Sequence, residues 1–205
     1  MELPGYELLS LLIPVLLFSF SMSVTPGPNN VMLTASGANY GFVRSIPHML
    51  GITLGVMLLM SSVALGLGVL FERWPALMTL LKILGSGYLL WLGWKIFHSP
   101  PPEIRTEMTG SPLTLFQAAV FQFVNPKAWM MAISALASFT LSGDAFVTSV
   151  VLIILAMAVV NLPSIALWAS FGVILGRMLK TPHHWRVFNR FMGGLTASCV
   201  VMILI

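Results

Sequence analysis

The chain of 205 residues is 58% hydrophobic and 8% charged, with a formal charge of +4 and a mean hydropathy of +0.95. A soluble domain carries charge on about a quarter of its residues, so this composition excludes a water-soluble fold and indicates an integral membrane protein. The basic excess sits in stretches that flank apolar segments, which favours lipid headgroups over nucleic acid as its partner.

Six apolar stretches follow in chain order, over residues 6–40, 45–71, 75–97, 112–141, 145–176 and 187–205. Each reaches the roughly 20 residues that a membrane-spanning helix needs, which predicts an all-α chain of six transmembrane helices in a single domain, 1–205. The N-terminus carries Glu2 and Glu7 where a signal peptide would be basic, and its apolar run is too long for one. The first and fourth are also too long for one straight helix. Between the third and fourth, 98–111 contains Pro100, Pro101 and Pro102 and reads as a short loop.

The first stretch is interrupted by Thr25-Pro26-Gly27-Pro28-Asn29-Asn30 and the fourth by Asn125-Pro126-Lys127. Proline lacks an N–H and clashes with the preceding turn, so Pro26 and Pro28 cannot both lie within regular helix. Glycine between them is expected to supply unusual dihedral angles. Asn29 and Asn30 then fall in the first turn of a new half-helix, where unpaired N–H groups and the helix dipole favour an anion. Asn125 before Pro126 suits an N-cap followed by proline at the first helical position, and Lys127 adds a full positive charge. Carbonyls released upstream, Ser23 to Thr25 and Phe123 to Asn125, are candidates to receive an ammonium group. Unpaired backbone groups cost several kcal/mol each in hydrocarbon. Two interrupted spans at corresponding places therefore point to a transporter's substrate site. Ordinary proline kinks are the alternative, and Pro14, Pro47 and Pro163 are read that way.

Pro26 and Pro126 lie at matching places in two halves, 1–105 and 106–205, each with a broken segment, a long helix and a glycine-containing third helix. Three spans is an odd number, so consecutive halves insert in opposite orientations, the plan of a 3+3 inverted repeat. Loops after spans one, three and five hold Arg44, Lys95, Arg105, Arg177, Lys180, Arg186 and Arg190, against Arg73 alone on the other side. The positive-inside rule puts the odd-numbered loops in the cytoplasm. The N-terminus lies outside if the first segment fully crosses, and inside if it does not.

Thr25-Pro26-Gly27-Pro28-Asn29-Asn30, then Tyr40-Gly41-Phe42 and Gly51-Ile52-Thr53-Leu54-Gly55, resembles the start of the LysE/RhtB family of amino-acid exporters. Leu81-Lys82-Ile83-Leu84-Gly85 with Tyr88-Leu89 and Leu92-Gly93 is similar to that family's third helix, and Phe123-Val124-Asn125-Pro126-Lys127-Ala128-Trp129 to its fourth-segment signature. The resemblance implies efflux of small amino acids or their derivatives across the bacterial inner membrane, driven by the proton gradient. Many members carry an aspartate where this chain has Val56. The branch resembling cysteine/O-acetylserine exporters has an apolar residue there, which tilts the expectation toward small neutral cargo.

The other polar residues fit that expectation. Glu2, Glu7, Glu72, Glu103, Glu107 and Asp144 all fall at ends or in loops. A basic cargo would need a carboxylate for its side-chain cation, so a neutral zwitterion is expected. Proton coupling would rest on His48, Lys82 or Lys127, or be absent. His48, near Arg44 and Pro47, reads first as an interfacial histidine; Lys82 reads as a lysine snorkelling to the headgroups. Lys127, at a break, is the leading functional candidate. Gln122 is favoured over Gln117 as a pathway residue, and Asn161 either lines the pathway or bonds a neighbouring helix. Gly51/Gly55 and Gly172/Gly176 have the spacing of close helix contacts.

No cofactor or metal is expected. The partners are a small zwitterionic amino acid and membrane lipids, with a homo-oligomer left open. A thiol–disulfide carrier needs paired cysteines, and this chain has only Cys199. No His-Glu-x-x-His or Gly-x-Ser-x-Gly pattern supports an intramembrane enzyme. A channel or a structural membrane subunit is the remaining alternative.

Overall fold

In a computed structural model the described residues are 4–67, 73–100 and 111–201, and these are helical almost throughout. The helices are α1 Pro4–Val24, α2 Pro28–Tyr40, α3 Phe42–Ser62, α4 Pro75–Phe97, α5 Leu115–Gln122, α6 Pro126–Phe139, α7 Phe146–Met178 and α8 Pro182–Ser198. Glu2, Glu72, Glu103, Arg105 and Glu107 lie outside the described residues, as do Pro101 and Pro102 of the predicted loop.

Both predicted breaks are present. Helix α1 ends at Val24 and α2 begins at Pro28, and the two are bent by 60°. Helix α5 ends at Gln122 and α6 begins at Pro126. By contrast Pro14, Pro47 and Pro163 sit within continuous helices, as expected of proline where neighbouring helices compensate the lost bond. By length and apolarity, Phe42–Gly66 and Gly143–Met178 are long enough to cross a membrane, and the bent pair α1–α2 makes a third if counted as one span. At about 1.5 Å per residue, neither α5 nor α6 alone reaches across a hydrocarbon core of about 30 Å.

The packing follows the two halves of the chain. Both α1 and α2 lie along α7, both α5 and α6 lie along α3, and α4 packs on α8. Close approach makes these seams tight. A Cβ at Gly37 would fall 2.0 Å from the Ala169 carbonyl oxygen, and one at Gly172 would fall 2.1 Å from that of Thr34. On the other seam, Cβ atoms at Gly51 and Gly55 would meet the carbonyl oxygens of Leu115 and Ala119 at 2.3 and 2.6 Å. The small-residue pairs seen in the sequence are therefore backbone-contact surfaces. Gly41 is different: it alone joins α2 to α3, at φ 82°, a conformation that side chains oppose.

Candidate functional site

An open pocket of about 360 Å³, its mouth included, lies between the two breaks. It is walled by Gly27, Pro28, Asn29 and Asn30 of the first break, Asn125 and Lys127 of the second, and Asn161 and Ile165 of α7. Met22, Ser23, Val56, Ala128 and Met131 complete the wall. Among the described residues that line it there is one cationic side chain, Lys127, and no carboxylate.

At the first break Gly27 is extended, with φ −176° and ψ 179°, which any residue adopts. The expected reason for glycine was wrong; the true one is space. A Cβ there would fall 2.8 Å from Cδ of Lys127 and 3.3 Å from its Nζ, so the missing side chain lets the lysine cross the break. Pro28 takes the first helical position of α2. The first amide of α2 with a helical acceptor is Val31, which donates to the Gly27 carbonyl at 3.1 Å. The N–H groups of Asn29 and Asn30 precede it, at the positive end of the helix.

The carbonyls that the sequence left open to a ligand are largely filled by the protein itself. Asn30 Nδ2 donates to the carbonyls of Ser23 at 3.0 Å and Thr25 at 2.8 Å. Trp168 Nε1 donates to Val24 at 3.2 Å, and Trp129 Nε1 to Phe123 at 2.8 Å. Lys127 Nζ bonds the Thr25 carbonyl and reaches that of Pro26 at 3.4 Å. Unpaired carbonyls in a membrane are costly, and two indoles, an amide and an ammonium remove that cost.

The second break is capped as the sequence predicts. Asn125 Oδ1 accepts from the Lys127 N–H at 3.2 Å, with Pro126 next in the chain as the first helical residue. The Asn125 carbonyl accepts from the Ala128 and Trp129 amides at 3.0 and 3.2 Å. The first backbone N–H groups of this helix are therefore all taken. What it offers is the Lys127 side chain, whose three ammonium hydrogens exceed the two carbonyls it reaches.

Asn29 and Gln122 tie the breaks together through a reciprocal amide pair, with Nδ2 to Oε1 at 2.8 Å and Nε2 to Oδ1 at 3.2 Å. Gln122 is fully buried and not in the cavity wall, so its place is behind the site. Thr25, Pro26 and Pro126 also stand outside the wall. Gln117 serves a capping box with Thr114 at the start of α5. Asn161 does both things considered for it: it lines the cavity, donates to Ser23 Oγ at 3.1 Å and accepts from Thr53 Oγ1 at 3.3 Å.

The other two coupling candidates lie elsewhere. Lys82 is half-buried on α4 and lines neither this cavity nor the second one described below. His48 is buried within the protein, 1% exposed, and lines a separate cavity at the other end of α2. Its neighbour Pro47 faces outward, and sequence adjacency to Arg44 gave no sign that the imidazole points inward. The residues that sequence reading missed are mainly apolar or aromatic, Trp168, Met131 and Ile165. Nothing in their type separates them from lipid-facing or core residues.

A family model for LysE type translocators matches residues 20–204. The chain is 31% identical over 189 residues to the cysteine/O-acetylserine efflux protein of Salmonella paratyphi A, covering 91% of this chain and 93% of that protein. It is 30% identical over 198 residues to the protein of that name from Shigella flexneri, with 93% and 98% covered. It is 30% identical over 189 residues to that of Escherichia coli strain K12, with 91% and 93% covered. No solved structure matches the chain.

Proposed function

The chain belongs to the LysE type translocator family, transporters rather than enzymes, and from that premise we propose that it exports small neutral amino acids or their derivatives from the bacterial cytoplasm. The observation that carries this reading is the cavity between the two breaks, with one ammonium and no carboxylate in its described wall. A zwitterion's carboxylate would bind Lys127 and the first amides of α2. Its ammonium group would compete with Lys127 and Asn30 for the Thr25 and Ser23 carbonyls. Val56, 2% exposed and in the wall, leaves no anion for a second cationic group. A basic amino acid would thus bury an uncompensated charge.

Alternating access follows from the same bonds. Cargo that displaces Lys127 from Thr25 and Pro26 releases one of the two ties between the breaks, leaving the Asn29–Gln122 pair as the hinge. The packing supports the six-span 3+3 inverted plan, because each broken pair lies along the long helix of the opposite half. With the odd-numbered loops in the cytoplasm by their charge, the membrane would be the inner one. Lys127 is the group placed to couple a proton, being the one cation that cargo and protein share.

The test is efflux. Cells and proteoliposomes with and without the protein are compared for external amino acids by mass spectrometry. The reading expects saturable release of neutral amino acids and little of lysine or arginine. Strong preference for basic amino acids, or fast non-saturating flux that follows the gradient alone, would refute it.

A further inference from the structure

At the opposite end of α2 lies a second open cavity, of about 460 Å³ with its mouth included, and its lining shares no residue with the first. His48 of α3 stands in its wall, fully buried, with neither ring nitrogen hydrogen-bonded. A buried imidazole without partners forfeits roughly 1–3 kcal/mol, a cost that an unbound ligand group would relieve. Lys95 of α4, exposed beside it, and Ser111 add further donors to the lining, whereas the Ser99 hydroxyl donates to the Lys95 carbonyl. Tyr40 from α2 and Lys95 from α4 are the titratable groups that share the cavity with His48, and among its described lining residues there is no Asp or Glu. Arg44 stands one turn before His48 on the same helix.

The two cavities are aligned. His48, Ile52 and Val56 follow at four-residue intervals on one face of α3, with His48 in one wall, Val56 in the other and fully buried Ile52 between. Eight residues of helix separate the two sites by about 12 Å.

We infer that this second cavity is a loading site for cargo, in which the substrate's carboxylate binds His48 before the molecule passes Ile52 to the Lys127 cavity. The inference rests on the proposed cargo being a zwitterionic amino acid. Among the described lining residues, donors without an acidic counterpart select an anionic group, and Lys95 at the exposed side leads that group inward. Zwitterions therefore enter carboxylate first, and Lys127 receives the same group further on.

The test reads His48 directly. Full-length protein labelled with [15N]histidine carries four imidazoles, of His48, His98, His183 and His184. The His48 signal is the one lost in His48→Gln, or, should that variant not fold, the one left after Gln replaces each of the other three. L-Cysteine is titrated into wild-type and Lys127→Met protein, with cysteamine, which lacks the carboxylate, as the control. The expected result is a saturable shift of the His48 signal by cysteine in both proteins and none by cysteamine. No shift with cysteine, an equal shift with cysteamine, or loss of the shift in Lys127→Met would overturn the inference. Wild-type export by Lys127→Met would instead count against the Lys127 site, and the His48 signal would still decide the loading site.

Discussion

Replacing Lys127 with methionine separates a structural from a transporting lysine. The side chain crosses the gap left by Gly27 and bonds the carbonyls of Thr25 and Pro26. Its loss removes hydrogen bonds to a charged donor, worth about 1.5–3 kcal/mol each. It also removes a charge that costs about 2.5–3.5 kcal/mol to hold at the centre of a membrane helix. The Thr25 carbonyl keeps Asn30 as a donor at 2.8 Å. These terms cancel in large part, leaving at most a few kcal/mol lost, so the variant should still insert and accumulate in the membrane. Export should not survive, because a carboxylate deprived of its ammonium partner loses about 1.5–3 kcal/mol, a factor of roughly 10 to 150 in affinity. Efflux from proteoliposomes, normalised to protein incorporated, measures this at cargo concentrations below saturation. Efflux within about twofold of wild type would refute the role given to Lys127; absence of the protein from the membrane would refute the cancellation.

Gly27→Ala should lower export several-fold without loss of protein, because its Cβ would press the Lys127 stem from 2.8 Å; unchanged efflux would show that the stem moves freely. Gly172→Ala places a Cβ 2.1 Å from the Thr34 backbone oxygen, which no rotamer relieves, so thermal unfolding should shift by the equivalent of about 1–3 kcal/mol. Asn29→Leu and Gln122→Leu should each destabilise by about 1 kcal/mol, since each removes the amide pair but leaves Gln122 Nε2 its Ala118 bond or Asn29 half-exposed. The double variant should cost clearly less than the sum, whereas additivity in the thermal shifts would mean the pair does not form. Val56→Asp puts a carboxylate in the same cavity as Lys127; export of neutral amino acids should fall at least tenfold, and retained export would show that Val56 does not face the pathway.

The breaks were legible because proline and asparagine act locally: a missing N–H ends a helix wherever the chain lies. Asn125, Pro126 and Lys127 took the cap, first and second positions that the sequence assigns them. Long-range pairing left no such mark. The Asn29–Gln122 bond and the Trp168 indole on Val24 join residues far apart in the chain, and neither residue type names its partner. Gly27 shows the limit most clearly. Its identity was readable, but its reason is a lysine from the other half of the chain. The burial of His48 went unread for a related cause, since the direction a helical side chain faces depends on neighbours that adjacency to Arg44 does not reveal. Absence also carried information: with no acidic residue well inside an apolar stretch, a neutral cargo could be expected before any cavity was seen.

The central claim, that cargo occupies the space between the two breaks, is tested most directly at Ala128, a buried residue of the cavity wall. A cysteine placed there in a Cys199→Ser background is allowed to react with a small membrane-permeant thiol reagent in proteoliposomes that transport. A small neutral amino acid that the proteoliposomes export, at saturating concentration, should slow that reaction several-fold, and L-lysine at the same concentration should leave it unchanged. An unaltered reaction rate while that amino acid is being exported would place the pathway elsewhere.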